Sequence, residues 1–124
     1  MERRYAILED NQRTLAERLT ELHRVIPILV GSRVKAAMII GSVADGRARD
    51  DSDVDLLLVL REGSPLRSDY AWWDEEIAPQ LPQSRRFPVQ PIFVAEQSLA
   101  TEEPNLRNAL HGGLPLWDPE GLLT

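Results

Sequence analysis

Apolar positions divide the chain into alternating helical and extended segments. Between residues 8 and 30 they recur at steps of three, four and seven, which places them on one stripe of a helix. Pro27 is expected to kink or end this helix, because proline cannot donate a hydrogen bond to the preceding turn. Two short and mostly apolar runs follow, at residues 34–40 and 53–60, and such runs are typical of buried strands.

The second half of the chain continues the alternation. Residues 68–81 are predicted to form a helix that begins at Ser68 as its N-cap. The inward positions of that helix are Tyr70, Trp73, Ile77 and Leu81. Residues 87–94 read as a third strand, and their two prolines indicate that it has an unpaired edge. Residues 96–110 are expected to be helical, and residues 114–117 are an extended segment that could join the sheet.

This order of elements predicts an α+β domain with α/β-like features, in which helices flank a small mixed β-sheet. Its 124 residues suit a single domain over residues 1–124. Cysteine is absent and there are only two histidines, so thiolate metal sites, disulfide scaffolds, cysteine nucleophiles and histidine-rich metal centres are excluded.

Net charge and the distribution of apolar residues limit what the chain is expected to bind. The net charge is −6, which makes strong non-specific binding of nucleic acid unfavourable. No apolar run approaches the roughly 20 residues that a membrane span requires, so no membrane association is expected. The first residues are charged and amphipathic rather than signal-like, and a cytoplasmic location is the simplest expectation.

Two aspartates open the second predicted strand. Asp53 and Asp55 are two residues apart, so their side chains project from the same face, while Val54 and Leu56 face the other way. Such a pair is unfavourable unless a positive group lies between the carboxylates, and Mg²⁺ suits this position because it prefers oxygen ligands. The alternative is a solvated turn that leads into the strand.

A glycine and a serine end the first predicted strand. Gly41 allows the backbone to approach a ligand closely. The Ser42 hydroxyl and the backbone N–H groups that follow it can bind an anion such as a phosphate. Ser42 and Asp45 also match a helix capping box, which is a purely structural alternative.

Two arginines lie beside this turn. Arg47 and Arg49 could bind the phosphates of a nucleotide, because guanidinium groups match phosphate geometry. They could equally balance the charges of Asp50 and Asp51.

The spacing Gly41-Ser42-x10-Asp53-x-Asp55 resembles the DNA polymerase beta-type nucleotidyltransferase superfamily. Within it, the chain is most similar to the minimal nucleotidyltransferases over residues 10–120. The resemblance implies a nucleotidyltransferase fold with Mg²⁺ or Mn²⁺ on Asp53 and Asp55, which would be the catalytic and metal-binding residues. It implies that Gly41 and Ser42 bind the phosphates of the nucleotide.

The implied reaction transfers a nucleoside monophosphate from a nucleoside triphosphate (NTP) to an acceptor hydroxyl. In small members of the superfamily that hydroxyl can belong to a protein, and several of them act as antitoxins beside a HEPN-type toxin. A HEPN-type partner protein or a homo-oligomer is therefore expected for this chain.

One position departs from the pattern of the superfamily. The resemblance implies a third carboxylate on the third strand, and this chain has Gln90 there. A glutamine cannot accept a proton at neutral pH, so an alternative is a catalytically weakened module that binds a nucleotide or a partner. Glu96 is the nearest acid downstream, and we expect it to be an exposed helix start beyond reach of the site.

Aromatic and histidine residues give weaker signals. Trp72 and Trp73 could stack on a base, but core packing with one exposed ring is the more frequent arrangement. His23 and His111 are interpreted as structural.

Overall fold

The computed structural model describes residues 2–44, 52–81, 87–100, 108 and 110–123. The helices in these ranges are α1 (Glu2–Arg24), α2 (Ile26–Val30) and α3 (Arg67–Trp72). The strands are β1 (Val34–Ile40), β2 (Val54–Leu60), β3 (Val89–Ala95) and β4 (Leu114–Trp117). A π-helical turn at Trp73–Ile77 and a 3₁₀ turn at Ala78–Gln80 extend α3, and a second 3₁₀ turn, Glu96–Ala100, follows β3.

The described strands form one sheet in the order β3-β2-β1-β4. Strand β1 is antiparallel to β2 and β4, whereas β2 and β3 are parallel. This confirms the predicted α+β fold with a mixed sheet, and β4 joins it as expected. The edge strands carry Pro91 and Pro115, where a missing backbone donor disrupts the ladder least.

Apolar side chains cover both faces of the sheet. On the first face, Leu56 and Leu58 of β2 pack with Leu22 of α1 and with Trp73 and Ile77 of the π turn. The second face is smaller, and its buried residues are Ala36, Met38, Ile40, Leu57, Val59 and Leu123. The period-two alternation along the strands produces this division, and an irregularity between Val34 and Ala36 shifts it by one residue in β1.

The first helical segment and the second strand differ slightly from their predictions. The helix is interrupted at Val25, two residues before Pro27, and α2 continues it to Val30. The second strand begins at Val54 rather than at residue 53, because the first ladder hydrogen bond joins Val54 N to the Pro88 carbonyl at 2.8 Å. Asp53 therefore lies immediately before β2.

The predicted helix over residues 68–81 was only partly correct. It is divided into α3, a π turn and a 3₁₀ turn, and its N-cap is Leu66 rather than Ser68. The Asp69 carboxylate accepts a hydrogen bond from Leu66 N at 2.7 Å, which supplies the cap from inside the first turn. Tyr70 is 48% exposed, so its predicted inward position was wrong.

The last predicted helix begins as the 3₁₀ turn Glu96–Ala100 and is helical again at residues 108 and 110. The part around Pro104 lies outside the described residues. No helix in the described ranges combines the length and the apolar character that a membrane crossing requires.

Candidate functional site

The end of β1 and the start of β2 meet at one edge of the sheet. The two strands are antiparallel, and the register pairs Ile40 with Asp55. Gly41 therefore follows β1 at the same edge at which Asp53 precedes β2 and Asp55 lies near its start. The sequence predicted this proximity on the condition that the two strands are neighbours, and the sheet satisfies that condition.

Gly41 lies in direct proximity to the Asp55 carboxylate. Its φ is +82°, a left-handed conformation that L side chains rarely adopt. A Cβ atom at this position would lie 2.8 Å from Oδ2 of Asp55. Glycine is therefore required here both by its backbone conformation and by the space that the carboxylate occupies.

Asp55 belongs to the second face of the sheet. Val54 and Leu56 are buried in the cluster on the first face, so the alternation places Asp55 opposite them. Asp55 is half-buried, and Asp53, immediately before β2, is exposed. The charge of Asp53 acts on the Asp55 carboxyl group, so the two carboxylates lie close enough to interact.

Burial and charge both act on Asp55. Burial raises the pKa of its carboxyl group, and the negative charge of Asp53 raises that pKa further. Both effects disfavour two ionised carboxylates at this edge. A divalent cation between them would reverse both effects, so the donor set fits a hard cation such as Mg²⁺.

The neighbouring strand places an amide beside this pair. In the parallel ladder, Gln90 of β3 is the direct partner of Asp55 and is exposed. Paired residues of adjacent strands project from the same face, so Gln90 shares the face of Asp55. In the described part of the chain, no three His, Cys, Asp or Glu residues form a group that could bind a metal.

The start of β3 is anchored in the core by a residue that the sequence analysis did not single out. Phe87 is completely buried and has a φ of +53°, which is rare for an aromatic residue. The carbonyl of the next residue, Pro88, accepts a hydrogen bond from the backbone N–H of Val54, the residue between the two aspartates. Phe87 and Pro88 thus fix the start of β2. In the sequence, the Phe-Pro dipeptide was the feature from which this anchoring role could have been predicted.

The remaining predicted nucleotide-binding residues are only partly described. Ser42 is half-buried in the turn after Gly41, and the next residue, Val43, is buried in the core of the first face. Arg47 and Arg49 lie outside the described residues, as does Asp45 of the possible capping box.

Glu96 is remote from the aspartate pair. Its carboxylate lies 2.8 Å from Nζ of Lys35, near the start of β1 and therefore at the opposite end of the sheet. This hydrogen bond to Glu96 is the main reason that the pKa of Lys35 is raised. Glu120 lies 3.4 Å from the same Nζ.

The aromatic and histidine candidates also lie apart from the aspartate pair or at the surface. Trp73 is buried in the core, as expected, and Trp72 is half-buried beside the opposite end of the sheet. His23 and His111 are both exposed.

Comparisons with known proteins agree with this geometry. The family model described as "Polymerase beta, Nucleotidyltransferase" matches residues 23–84, which is half of the chain and includes both Gly41 and Asp55. No curated protein is detectably similar in sequence.

Two solved structures share the fold. A Sulfolobus solfataricus protein assigned as a nucleotidyltransferase has a TM-score of 0.56 and 16% identity, with 90% of this chain and 89% of that chain covered. A toxin-antitoxin structure with AMP-PNP has a TM-score of 0.53 and 16% identity, with 81% and 74% covered.

Proposed function

This chain belongs to the polymerase beta nucleotidyltransferase family, and we propose that it transfers a nucleoside monophosphate from an NTP to an acceptor hydroxyl. The observation that carries the proposal is the contact between the two strand ends. Gly41, whose backbone is free of a side chain, adjoins the Asp55 carboxylate, and Asp53 lies two residues away. This edge can receive a phosphate chain on one side and a cation on the other.

Asp53 and Asp55 would hold Mg²⁺ or Mn²⁺ in this proposal. The cation would neutralise charge on the phosphate oxygens as the transfer proceeds. The raised pKa of Asp55 supports this assignment, because it reports a carboxylate whose ionised form lacks compensation.

The backbone after Gly41 and the hydroxyl of Ser42 would bind the phosphates. We assign Arg47 and Arg49 to the same phosphates, because guanidinium groups supply paired donors. In the reaction, the acceptor oxygen bonds to the α-phosphorus while the bond from the α-phosphorus to its bridging oxygen breaks. Pyrophosphate leaves, and the hydroxyl proton passes to solvent, since Gln90 beside Asp55 cannot accept it.

We further propose that the acceptor is a hydroxyl on a partner protein and that the chain acts as an antitoxin-like module. The support is the similar fold of a toxin-antitoxin structure with AMP-PNP. A HEPN-type toxin is the partner that we propose, with a homo-oligomer as the alternative, and both would be cytoplasmic.

The position of Gln90 favours a second candidate function. With an amide in place of a proton acceptor beside Asp55, the chain could bind a nucleotide or a partner without efficient transfer. General-base assistance contributes about 10²–10⁴-fold to a rate, so its absence would slow the reaction without preventing binding.

The two candidates are distinguished by a transfer assay. The protein is incubated with α-labelled ATP, CTP, GTP or UTP, with Mg²⁺ or Mn²⁺, and with lysate as the source of acceptor. Asp53→Asn and Asp55→Asn should abolish transfer of label, whereas Asp74→Asn, an exposed aspartate outside the site, should not. Calorimetric binding of the metal–nucleotide complex without any transfer would favour the second candidate. If the protein neither binds the complex nor transfers label, both candidate functions are contradicted.

A further inference from the structure

A second concave site lies at the end of the sheet opposite to the aspartates. It is a cavity of about 460 Å³ whose apolar wall includes Val34 and Leu60, the paired residues at the start of β1 and the end of β2. Ile28 of α2 adds to this wall. The length of β1, seven residues, separates the cavity from Gly41 by about 20 Å. The cavity is therefore distinct from the proposed transfer site.

The positive charge in the cavity wall is already compensated. Arg33 Nη1 lies 2.6 Å from both carboxylate oxygens of Asp69, which is 5% exposed. The other terminal nitrogen, Nη2, donates to the carbonyl of Glu62. The Asp69 carboxylate neutralises the charge of this guanidinium, which lowers its attraction for an anionic ligand.

Two further residues of the cavity wall supply a carboxylate, Glu76, and an indole ring, Trp72. Trp73 and Ile77 of the π turn are buried in the core, whereas Glu76 of the same turn and Trp72, the last residue of α3, line the cavity. Glu76 is exposed, and its carboxylate has no hydrogen-bond or salt-bridge partner among the residues that the structure describes. Trp72 is half-buried and brings an indole ring to the same wall. Short π-helical segments of this kind frequently occur at functional sites.

We propose that this cavity binds a small organic cation with a short apolar body. The ammonium group would pair with the Glu76 carboxylate and lie near the Trp72 ring, since indole is the aromatic group that attracts cations most strongly. The apolar body would contact Val34 and Leu60. Among the residues that the structure describes, the charged ones in the wall are Arg33, Asp69 and Glu76, which leave one net negative charge after the Arg33–Asp69 pair is counted. The net negative charge of the wall disfavours an anion, and a neutral ligand would leave Glu76 partly desolvated without compensation.

The test compares three ligands of the same shape that differ in charge. Phenethylamine, 2-phenylethanol and 3-phenylpropanoate are titrated into the full chain by calorimetry at low salt, and the Trp72 indole N–H is followed by NMR. We expect the amine to bind about tenfold more tightly than the alcohol and to shift the Trp72 signal, with the carboxylate weakest.

Two matched variants test whether the amine binds in this cavity. Glu76→Gln should reduce the affinity for the amine to that for the alcohol, whereas Glu75→Gln, an exposed neighbour that does not line the cavity, should leave it unchanged. Circular dichroism verifies that both variants are folded. Equal affinity for the three ligands, preference for the carboxylate, no binding of the amine at millimolar concentration, or equal effects of the two substitutions would overturn the proposal. None of these outcomes depends on nucleotidyl transfer.

Discussion

Asp55 and Gln90 are direct partners in the parallel ladder between β2 and β3. The carboxylate and the amide share one face of the sheet, so a substitution at residue 90 places a new group beside the proposed metal ligand. This relationship connects the chemistry of the site to a single side chain that can be changed without altering the core, because Gln90 is exposed.

We expect Gln90→Asp to increase the rate of nucleotidyl transfer. A carboxylate at this position could accept the proton of the acceptor hydroxyl, and such assistance contributes about 10²-fold or more. Gln97→Asp is the matched control, because Gln97 is exposed and lies beyond β3, in the 3₁₀ turn. The measurement is the initial rate of label transfer at saturating nucleotide. A lower rate in Gln90→Asp would show that residue 90 does not serve the transfer site.

Gly41→Ala should abolish nucleotide binding and destabilise the fold. Alanine at a positive φ costs about 1–2 kcal/mol, and its Cβ would also lie 2.8 Å from Oδ2 of Asp55. Gly63→Ala separates these two effects, because Gly63 has a φ of +66° and its nearest neighbour would be 3.9 Å away.

Gly63→Ala should therefore show only the backbone effect and retain nucleotide binding. Chemical denaturation measures the free energy of unfolding of both variants, and calorimetry measures nucleotide affinity. If the two variants lose the same stability and the same affinity, the proximity of Gly41 to Asp55 has no role in the site.

The pKa of Asp55 predicts how stability depends on pH. Burial and the charge of Asp53 raise this pKa in the folded chain, so the folded state retains the proton to a higher pH than the unfolded chain does. Stability should therefore fall as the pH rises from the ordinary carboxyl pKa through the raised folded-state value. Asp55→Asn removes this loss, and its melting temperature at neutral pH should exceed that of the unmodified protein.

Magnesium provides the second part of this test. A cation bound by Asp53 and Asp55 stabilises the folded state, so Mg²⁺ should raise the melting temperature of the unmodified protein but not that of Asp55→Asn. Asp74→Asn, at an exposed site, should respond to pH and Mg²⁺ as the unmodified protein does. An Asp55→Asn variant less stable than the unmodified protein at neutral pH, or equally stabilised by Mg²⁺, contradicts the assignment.

Local pattern was sufficient to predict that Gly41 and Asp55 meet at one edge of the sheet, once β1 and β2 are neighbours. The period of two in β2 places Asp55 opposite the buried side chains of Val54 and Leu56. Gly41 adjoins Asp55 because β1 and β2 are antiparallel neighbours, so the end of β1 lies beside the start of β2. The resemblance to the superfamily put Gln90 at the position of a third carboxylate on the third strand, and the β2–β3 register places it opposite Asp55.

Long-range contacts explain where local pattern failed. The helix after β2 has its N-cap at Leu66 rather than at Ser68, because the Asp69 carboxylate accepts a hydrogen bond from Leu66 N. Asp69 is itself held by Arg33, 36 residues earlier in the chain. Tyr70 is exposed but packs edge-on against Phe93 of β3, with ring centroids 4.9 Å apart. The helical periodicity of residues 68–81 could not reveal these contacts, because Arg33 and Phe93 both lie outside that segment.

Asp69→Asn tests the stabilising role of the buried ion pair. The Asp69 side chain is 7% exposed and that of Arg33 is 36% exposed, so loss of the carboxylate leaves a partly buried guanidinium without a counter-charge. We expect a loss of about 2–3 kcal/mol in the free energy of unfolding, below the range for fully buried pairs because Arg33 reaches solvent. Glu120→Gln is the control: Glu120 pairs with Lys35 at 3.4 Å and its side chain is 55% exposed, so its loss should stay within about 1 kcal/mol. Chemical denaturation measures the free energy of unfolding of both variants. Equal losses of this free energy would show that the burial of Asp69 does not govern the strength of its ion pair with Arg33.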